Sequence, residues 1–453
     1  MTRIYSPFIV AKFGGTSVAN FDAMNRSASI VLADHDVRLV VLSASAGVTN
    51  LLVELSEGLE IHQQLDKLET LRTIQYNIIS HLKQPSVIRK EIDNLLDNIS
   101  RLAQSANVSP SDALSDELVS HGELMSSLLF TEVLRERHAE AGWFDARAVM
   151  RTNSNYGCAD PDLNALHQLA QTHLRPRLEH AIMVTQGFIG RDVSGHTTTL
   201  GRGGSDYTAS LLAEALDAAR VDIWTDVAGI YTTDPRIAPK AKRIDHISFS
   251  EASDMAAYGA KVLHPATLLP AMRKGIPVFV GSSKDTAAGG TLVHNTTDNS
   301  PRYRALAVRR KQTLLRLHSL ETQPSSAFLA QIFAILARHA VSADLVTTSE
   351  NCIALALDPT LATSGEDHTL TTALFTTLSS HCRVEVETGL ALVTLIGNQL
   401  TQAAGVCKDA FTWFEEHAVR MICHGASDNT LCILLPADTA DSAIKALHYR
   451  LFE

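Results

Sequence analysis

A glycine-rich stretch that carries two opposite charges could hold an anion. Residues 197–207 read TTTLGRGGSDY, with Arg202 and Asp206 among three glycines. Glycine weakens helices and strands alike, whereas the residues that follow, TASLLAEALDAA, have a helical pattern. The stretch therefore predicts a loop at a helix N-terminus, where free N–H groups and the helix dipole favour anions. Arg202 adds a planar cation that suits a carboxylate or a phosphate. A plain turn that caps the helix is the structural alternative.

A lysine and a glycine pair near the N-terminus predict a second anion site. Residues 8–13, FIVAKF, are typical of a short buried strand, and Gly14 and Gly15 follow it before a helical pattern. Strand, glycine turn and helix make up the local architecture of a phosphate site in an α/β sheet. Lys12 stands at the end of the strand that faces the ligand crevice in such sheets. A tight turn beside an incidental lysine is the alternative.

Three further polar residues could complete a pocket. Ser43 and Thr49 follow the apolar run 39–42, which predicts a strand covered on both faces. Glu123 lies beside Gly122 on the buried stripe of a predicted helix, and a glycine there lets another segment approach closely. Glu123 is thus a candidate ligand group, although a solvated glutamate is the commoner meaning of such a residue.

The elements that must position these residues predict an α/β domain. Apolar runs at 8–13, 39–42, 181–188, 221–225 and 276–280 alternate with helical patterns, and residues 51–138 are mostly helical by their apolar spacing. This order predicts a mostly parallel sheet with helices on both faces and ligands at the carboxyl ends of the strands. The Gly-, Asn- and Thr-rich composition of residues 286–301 predicts a linker.

Length and composition exclude several classes of protein. The chain has 453 residues, which predicts two to four domains, and 45% of them are hydrophobic. The net charge of −10 argues against a nucleic-acid partner or an anionic membrane surface. The six cysteines are scattered without a C-x-x-C pair, as in reduced cytosolic proteins. Because no apolar run reaches the roughly 18 residues of a membrane span, we expect a soluble cytoplasmic protein.

The C-terminal third contains an internal repeat. Phe333 pairs with Phe411, Ser349 with Ser427 and Asn351 with Asn429, a constant offset of 78 residues without a gap. Each copy reads strand, helix, strand, turn, strand, which predicts a duplicated α+β module. The first copy has Asp344 where the second has Ile422, so we expect one small-molecule site per pair of modules. A purely structural duplication is the alternative.

Four stretches of the sequence resemble the signature stretches of the aspartate kinases in the amino-acid kinase superfamily. They are KFGGTSV at 12–18, TTTLGRGGSDYTA at 197–209, WTDVAGIYTTDPR at 224–236 and GAKVLHPAT at 259–267, and the repeat resembles the paired ACT domains of that family. The resemblance implies an amino-acid kinase fold at 1–296 and a regulatory region at 297–453 with two ferredoxin-like ACT modules. Their implied limits are about 311–388 and 389–453, with the second completed by 302–310.

The resemblance also implies an activity. The chain would phosphorylate the side-chain carboxylate of L-aspartate with ATP, giving 4-phospho-L-aspartate, the first step towards lysine, threonine and methionine. Lysine would inhibit it at the ACT region, Mg²⁺ would arrive bound to the ATP phosphates, and the chains would pair as a homodimer or homotetramer through the ACT modules. Two other classes stay open: a kinase of another small acid, such as glutamate or carbamate, and a non-catalytic amino-acid sensor.

The family's site residues carry over to matching positions of this sequence. The implied catalytic residues are Lys12 and Asp206. The implied aspartate-binding residues are Ser43, Thr49, Glu123, Arg202, Gly203, Gly204 and Ser205. The implied ATP-binding residues are Lys12, Gly14, Gly15, Thr16, Thr225, Asp226, Tyr231, Arg236, Lys261 and Val262. The implied lysine-binding residues are Ser325, Ser342, Asp344, Thr348, Ser349 and Glu350. The sequence departs from the family at Ala228, which replaces a usual proline, and at Thr322 and Pro324, which stand where the family has Met and His.

Overall fold

The described part of the chain forms two compact units. The computed structural model describes residues 7–259, 263–295, 301–320, 325–339, 341–357, 370–411 and 418–453. The first unit comprises Met1–Ile230, Arg243–Phe249 and Lys261–Thr297, and the second comprises Tyr231–Lys242, Ser250–Ala260 and Asp298–Glu453. Two segments that precede residue 296 thus pack with the second unit, so the division does not follow one boundary along the chain. The limits proposed for the two ACT modules stay a prediction.

A mostly parallel sheet organises the first unit. The strands that precede residue 296 are β1 (Ile9–Phe13), β2 (Val37–Leu42), β3 (Ala141–Phe144), β4 (Ile182–Gln186), β5 (Ile189–Arg191), β6 (Thr197–Thr199), β7 (Arg220–Thr225), β8 (His246–Ser248), β9 (Val278–Ser282) and β10 (Gly290–His294). Eight of them lie in the order β3-β4-β2-β1-β7-β9-β10-β8, while β5 and β6 form a separate hairpin. The neighbours in the large sheet run parallel except for β9 and β10. The predicted sheet is therefore confirmed, but the predicted linker is wrong in part, because β10 belongs to this sheet.

Helices of the first unit accompany this sheet. They are α1 (Phe21–Ala33), α2 (Val48–Ser56), α3 (Ile61–Ile79), α4 (Pro85–Val108), α5 (Asp112–Glu136), α6 (Leu163–Leu169), α7 (Arg175–Leu178), α8 (Gly204–Leu216) and α10 (Pro265–Lys274). Helix α9 (Phe249–Ala257) belongs to the second unit from Ser250 onwards. The helical region predicted at 51–138 is confirmed by α2 to α5. Across the described ranges, none of the helices combines the length with the apolar character that a bilayer crossing requires.

The centre of the sheet brings distant loops to one edge. Strand β1 lies between β2 and β7, and all five of its residues are buried. The N–H of Gly14 donates to the carbonyl of Trp224 near the end of β7 (3.1 Å), and the N–H of Ser43 after β2 donates to the carbonyl of Phe13 (3.2 Å). Since parallel strands end at the same edge, the loops after β1, β2 and β7 meet there.

Helix α5 lies unusually close to the loop after β2. A Cβ atom on Gly122 would lie 2.7 Å from the Cβ of Ala44 and 3.3 Å from the side chain of Leu52. The Ser126 hydroxyl donates to the carbonyl of Ser43 (2.8 Å), which links the helix to the same loop. The close approach expected at Gly122 is confirmed, and it carries the next residue of the helix, Glu123, towards the edge of the sheet.

The second unit contains an antiparallel sheet shared by two modules. Its elements after residue 300 are β11 (Tyr303–Ser319), α11 (Ser325–Arg338), β12 (Ala343–Thr348), β13 (Cys352–Leu357), α12 (Thr372–Ser379), β14 (Cys382–Gly397), α13 (Val406–Phe411), β15 (Met421–His424), β16 (Thr430–Pro436) and α14 (Ala440–Phe452). The strand order is β12-β13-β11-β14-β16-β15. The repeat is visible here, since β12 and β13 correspond to β15 and β16, and the predicted α+β modules are confirmed.

Replacing Gly122 with alanine should destabilise the first unit. The added methyl group would overlap the Cβ of Ala44, and overpacking of a filled core lowers the free energy of unfolding by roughly 1–3 kcal/mol. Urea denaturation of Gly122→Ala, with Glu132→Ala at a partly exposed position of the same helix as the control, measures this. An unchanged midpoint for Gly122→Ala would show that α5 has room to move away.

Candidate active site

An ion pair joins the end of β1 to the first turn of α8, beside the two glycine-rich loops. Lys12 is only 7% exposed, and its Nζ lies 2.5 Å from Oδ1 of Asp206 in the first turn of α8. A Cβ on Gly14 would lie 3.5 Å from the same Nζ. The two anion sites predicted separately from the sequence therefore face each other, with the lysine between them.

The loop before α8 needs glycine for its conformation. Gly201 and Gly203 both have a φ of +74°, in the left-handed region that favours glycine. Gly203 is the N-cap of α8, and a Cβ on it would lie 2.6 Å from the Cβ of His264. The turn therefore caps helix α8, as expected for a plain turn. Its glycines also line a cleft.

The cleft has a volume of about 430 Å³ and lies within the first unit. It is lined by Lys12, Ser43, Thr49, Glu123, Gly157, Phe188, Gly201, Arg202, Gly203, Gly204, Ser205 and Asp206. Every residue predicted for catalysis or for aspartate binding is among them. The structure brings these residues together, and their roles towards a ligand stay predictions.

Glu123 is the most perturbed acid of the cleft. It is 3% exposed, and its Oε2 atom is buried without a hydrogen-bond partner. Burial raises the pKa of Glu123 to about 8, although a backbone hydrogen bond at Ala44 and the charge of Lys12 oppose the shift. At neutral pH the carboxyl group is therefore mostly protonated, and a cation brought beside it would favour the ionised form.

Arg202 supplies the exposed positive charge of the cleft. It lies in the turn that precedes α8 and is solvent-exposed, in contrast to Lys12. Burial and, next, the charge of Arg202 lower the pKa of His264, while Asp206 opposes this shift. A long, exposed guanidinium group beside a buried lysine suits a ligand that carries more than one anionic group.

Three lining residues were missed by the sequence analysis: Gly157, Phe188 and Gly201. Gly201 lies inside the quoted glycine-rich stretch, so the signal for it was present. Phe188 has a φ of +70°, which is rare for a bulky residue, and its N–H donates to the Thr208 hydroxyl (3.0 Å). Such strain is found at functional sites, but no sequence pattern reveals it.

A buried carboxylate behind the cleft was also missed. Asp116 on α5 is 3% exposed. It accepts hydrogen bonds from the N–H of Gly157 (3.0 Å) and from the N–H and the hydroxyl of Thr199 (both 2.8 Å). Burial raises the pKa of Asp116, and these hydrogen bonds oppose the rise. Asp116 precedes Glu123 by two helical turns on the same face of α5. This spacing is the sequence signal that could have identified Asp116.

The residues predicted to bind ATP lie in several parts of the structure. Lys12 lies at the end of β1. Gly14, Gly15 and Thr16 form the turn after β1, where a Cβ on Gly15 would lie 2.8 Å from the carbonyl of Ala44. Thr225 and Asp226 lie at the carboxyl end of β7, next to β1 in the sheet.

The remaining ATP-binding predictions lie elsewhere. Tyr231 and Arg236 belong to the second unit, and Arg236 forms an ion pair with Asp234 (2.7 Å). Lys261 and Val262 lie outside the described residues. Among the described residues, no group of three or more His, Cys, Asp or Glu side chains is arranged to hold a metal ion.

The predicted effector residues lie around β12. Asp344 on β12 forms an ion pair with Arg309 on β11. Ser342, Thr348, Ser349 and Glu350 are exposed at the two ends of the strand. The side chain of Ser325, and Thr322 and Pro324 before it, lie outside the described residues. The structure therefore places one half-buried carboxylate, already neutralised by an arginine, at the centre of this group.

Comparison with known proteins supports both halves of this description. Residues 7–282 match the amino acid kinase family, and residues 393–451 match an ACT domain. The chain is 62% identical over 448 residues to the lysine-sensitive aspartokinase 3 of Escherichia coli, covering 99% of this chain and 100% of that protein. It is 32% identical over 449 residues to an aspartokinase of Chlamydia pneumoniae, covering 97% of each.

Solved structures give the same picture. The E. coli aspartokinase III in complex with aspartate and ADP, described as the R-state, matches with a TM-score of 0.93 and 62% identity, over 98% of this chain and 100% of that one. The same E. coli enzyme in complex with lysine and aspartate, described as the T-state, matches with a TM-score of 0.84 and 62% identity, over 99% and 100%.

The stability of the protein should depend on pH through Glu123. Between the ordinary glutamate pKa of 4.5 and the folded value of about 8, the folded chain holds a proton that the unfolded chain has released. The free energy of unfolding therefore falls as the pH rises through this window, by on the order of a few kcal/mol.

Urea denaturation at pH 5, 6.5 and 8 tests this against Glu123→Gln, which cannot ionise and should lose this dependence. Glu132→Gln on the same helix controls for the loss of one charge. If wild type and Glu123→Gln keep a constant difference across the three pH values, Glu123 does not hold the extra proton.

Proposed function

The chain belongs to the aspartokinases of the amino acid kinase family, and from this premise we propose that it transfers the terminal phosphoryl group of ATP to the side-chain carboxylate of L-aspartate. The product is 4-phospho-L-aspartate. The observation that carries the proposal is the ion pair between Lys12 and Asp206 at the meeting point of two glycine loops, in one cleft with Arg202 and Glu123.

The main barrier to this reaction is repulsion between two anions. A carboxylate is already a nucleophile, so no strong general base is needed, and catalysis depends on positioning and charge neutralisation. At roughly 4 Å and an effective dielectric constant of about 20, two unit charges repel by about 4 kcal/mol. Lys12 would neutralise the transferring phosphoryl group together with the glycine turn. In that turn the N–H of Gly15 would contribute, because the N–H of Gly14 already donates to the carbonyl of Trp224. Asp206 orients Lys12 from the opposite side.

Two side chains of the cleft would select a free amino acid. Arg202 would bind a carboxylate of aspartate, and Glu123 would bind its ammonium group. The buried, unpartnered Oε2 of Glu123 supports this role, because an arriving ammonium group would stabilise the ionised carboxylate that burial otherwise disfavours. Ser43, Thr49 and the N-terminus of α8 at Gly203, Gly204 and Ser205 complete the pocket. Carbamate has no ammonium group, so this arrangement favours an amino acid over that substrate.

The nucleotide would enter as its magnesium complex, with the metal held through phosphate oxygens as part of the substrate. Thr225 and Asp226 follow β7 at the sheet edge where β1 ends, which supports a nucleotide role for them. We extend this role to Tyr231, Arg236, Lys261 and Val262 from the resemblance of their sequence stretches.

Lysine would inhibit the enzyme through the first ACT module. The carboxylate of Asp344 suits the ammonium group of lysine, but Arg309 already neutralises it. Lysine would therefore compete with Arg309 and inhibit by preferring the conformation in which Asp344 is released. Assembly through the ACT modules as a homodimer or homotetramer, and a cytoplasmic role at the start of lysine, threonine and methionine synthesis, belong to the same proposal.

Replacing Lys12 with alanine should abolish turnover and leave the protein folded. Loss of the cation at the transferring group should lower the turnover number by about 10³-fold or more. The aspartyl-hydroxamate assay measures the product directly, and circular dichroism checks the fold. Lys284→Ala, at an exposed position of the same unit, is the control, and wild-type turnover in Lys12→Ala would refute the assignment.

The same assay separates aspartate from other acceptors. Turnover with L-aspartate should exceed turnover with L-glutamate or carbamate, since the cleft must place one side-chain carboxylate at a fixed distance from its ammonium site. Equal or higher turnover with another acid would identify that acid as the substrate. No turnover with any acid would favour the alternative that the protein is a non-catalytic amino-acid sensor.

Replacing Asp344 with alanine should relieve inhibition by lysine. Loss of a charged hydrogen-bond partner weakens binding by roughly 1.5–3 kcal/mol, so half-inhibition should need about tenfold or more lysine. Asp441→Ala, which removes a carboxylate paired with Arg310 on the surface of the other module, should keep the wild-type response. Inhibition of Asp344→Ala at wild-type lysine concentrations would contradict the proposed site.

A further inference from the structure

The last helix of the chain holds the loop that carries Tyr231 and Arg236. The hydroxyl of Thr232 lies 2.9 Å from Nε2 of His448 on α14. Near the end of the same helix, Lys242 donates to the carbonyl of Phe452 (2.7 Å), and Lys240 donates to the side chain of Glu453 (2.7 Å). All of these residues belong to the second unit, although the loop precedes residue 296 in the sequence.

Thr232 forms the hydrogen bonds that join the two ends of the loop 231–242. Its N–H donates to the carbonyl of Lys242 (2.9 Å), and its hydroxyl accepts from the N–H of Lys242 (3.0 Å). Its carbonyl accepts from the N–H of Leu306 on β11 (2.7 Å). Ile237, midway along the loop, packs against the apolar core of the second module. The loop is therefore held at both ends and in the middle by that module.

The direction of the hydrogen bond between Thr232 and His448 follows from the other partners of both side chains. His448 is fully buried, and Thr232 is 8% exposed, so their polar atoms need partners inside the protein. The Thr232 hydroxyl accepts from Lys242 and has its own proton to donate, and Nε2 of His448 is the acceptor within reach. His448 is then neutral, with its proton on Nδ1 facing Glu453 (3.4 Å). Burial lowers the pKa of His448, in agreement with a neutral ring.

We propose that Thr232 and His448 are positioning residues for the nucleotide, through which the second ACT module sets the loop that presents Tyr231 and Arg236 to ATP. The inference rests on the proposed nucleotide role of those two residues. Because Tyr231 directly precedes Thr232 in the chain, a displacement of Thr232 relative to α14 also displaces Tyr231. The conformation of the regulatory region would then change the KM for ATP. The aspartate cleft is built on other loops and would keep its geometry.

The test compares the KM values for the two substrates in full-length variants. His448→Leu removes both ring nitrogens but keeps an apolar side chain against Phe452, and Thr232→Val removes only the hydroxyl. Each should raise the KM for ATP about fivefold, the effect of one lost buried hydrogen bond, and leave the KM for aspartate unchanged. His448→Gln, which can still accept from Thr232, should restore much of the wild-type KM for ATP. Tyr449→Leu, an exposed neighbour on α14, is the matched control.

Several outcomes would overturn the inference. An unchanged KM for ATP in folded Thr232→Val and His448→Leu would overturn it, and so would an equal rise in both KM values, which indicates general loss of structure. If His448→Leu does not fold, Thr232→Val alone decides.

Tyr231→Ala and Arg236→Ala separate the inference from its premise. If they leave the KM for ATP unchanged, the proposed nucleotide role is wrong and the inference is overturned with it. If they raise this KM while the Thr232 and His448 variants do not, only the inference is wrong.

Discussion

The ion pair between Lys12 and Asp206 is the contact on which the catalytic half of the structure depends. It connects the end of the central strand with the first turn of α8, two places far apart in the sequence. A lysine buried to this extent requires a counter-charge, and Asp206 supplies it at 2.5 Å. The same pairing keeps the ammonium group at the edge of the sheet, where the two glycine loops meet. Charge neutralisation at this edge is what a transfer between two anions needs.

The cleft around this pair is built by close backbone approach. Gly122 lets α5 press against the loop after β2, and the left-handed Gly203 lets the loop before α8 pass beside His264. These contacts bring Glu123 into the cleft at a buried position, so its carboxyl group stays protonated at neutral pH. Tight packing and an altered pKa thus have one cause, and both prepare the site for a cationic group.

The second unit extends into the sequence of the kinase part. It includes the segments Tyr231–Lys242 and Ser250–Ala260, which are held by α14 and by arginines of β11. Arg309 forms an ion pair with Asp344 and also donates to the carbonyl of Ala257 at the end of α9 (2.8 Å). The carboxylate proposed to bind the effector is therefore one side chain away from a helix that precedes residue 296. A change of partner at Asp344 would therefore reach the end of α9 through one side chain, that of Arg309.

The amino-acid sequence by itself determined the central strands, the helical region, the duplicated module and most of the residues that line the cleft. These features depend on the spacing of apolar residues, on the positions of glycines and on the resemblance of short contiguous stretches. Each of these patterns lies within a short segment of the sequence. The tertiary structure alone decided the left-handed backbone of Phe188, the support that Asp116 gives to Gly157 and Thr199, and the protonation of Glu123. It also decided that residues 231–242 pack with α14, through a contact between Thr232 and His448, which lie 216 positions apart. Such features arise from burial and from partners that are distant in the chain, and no local pattern records which partner a buried polar group will find.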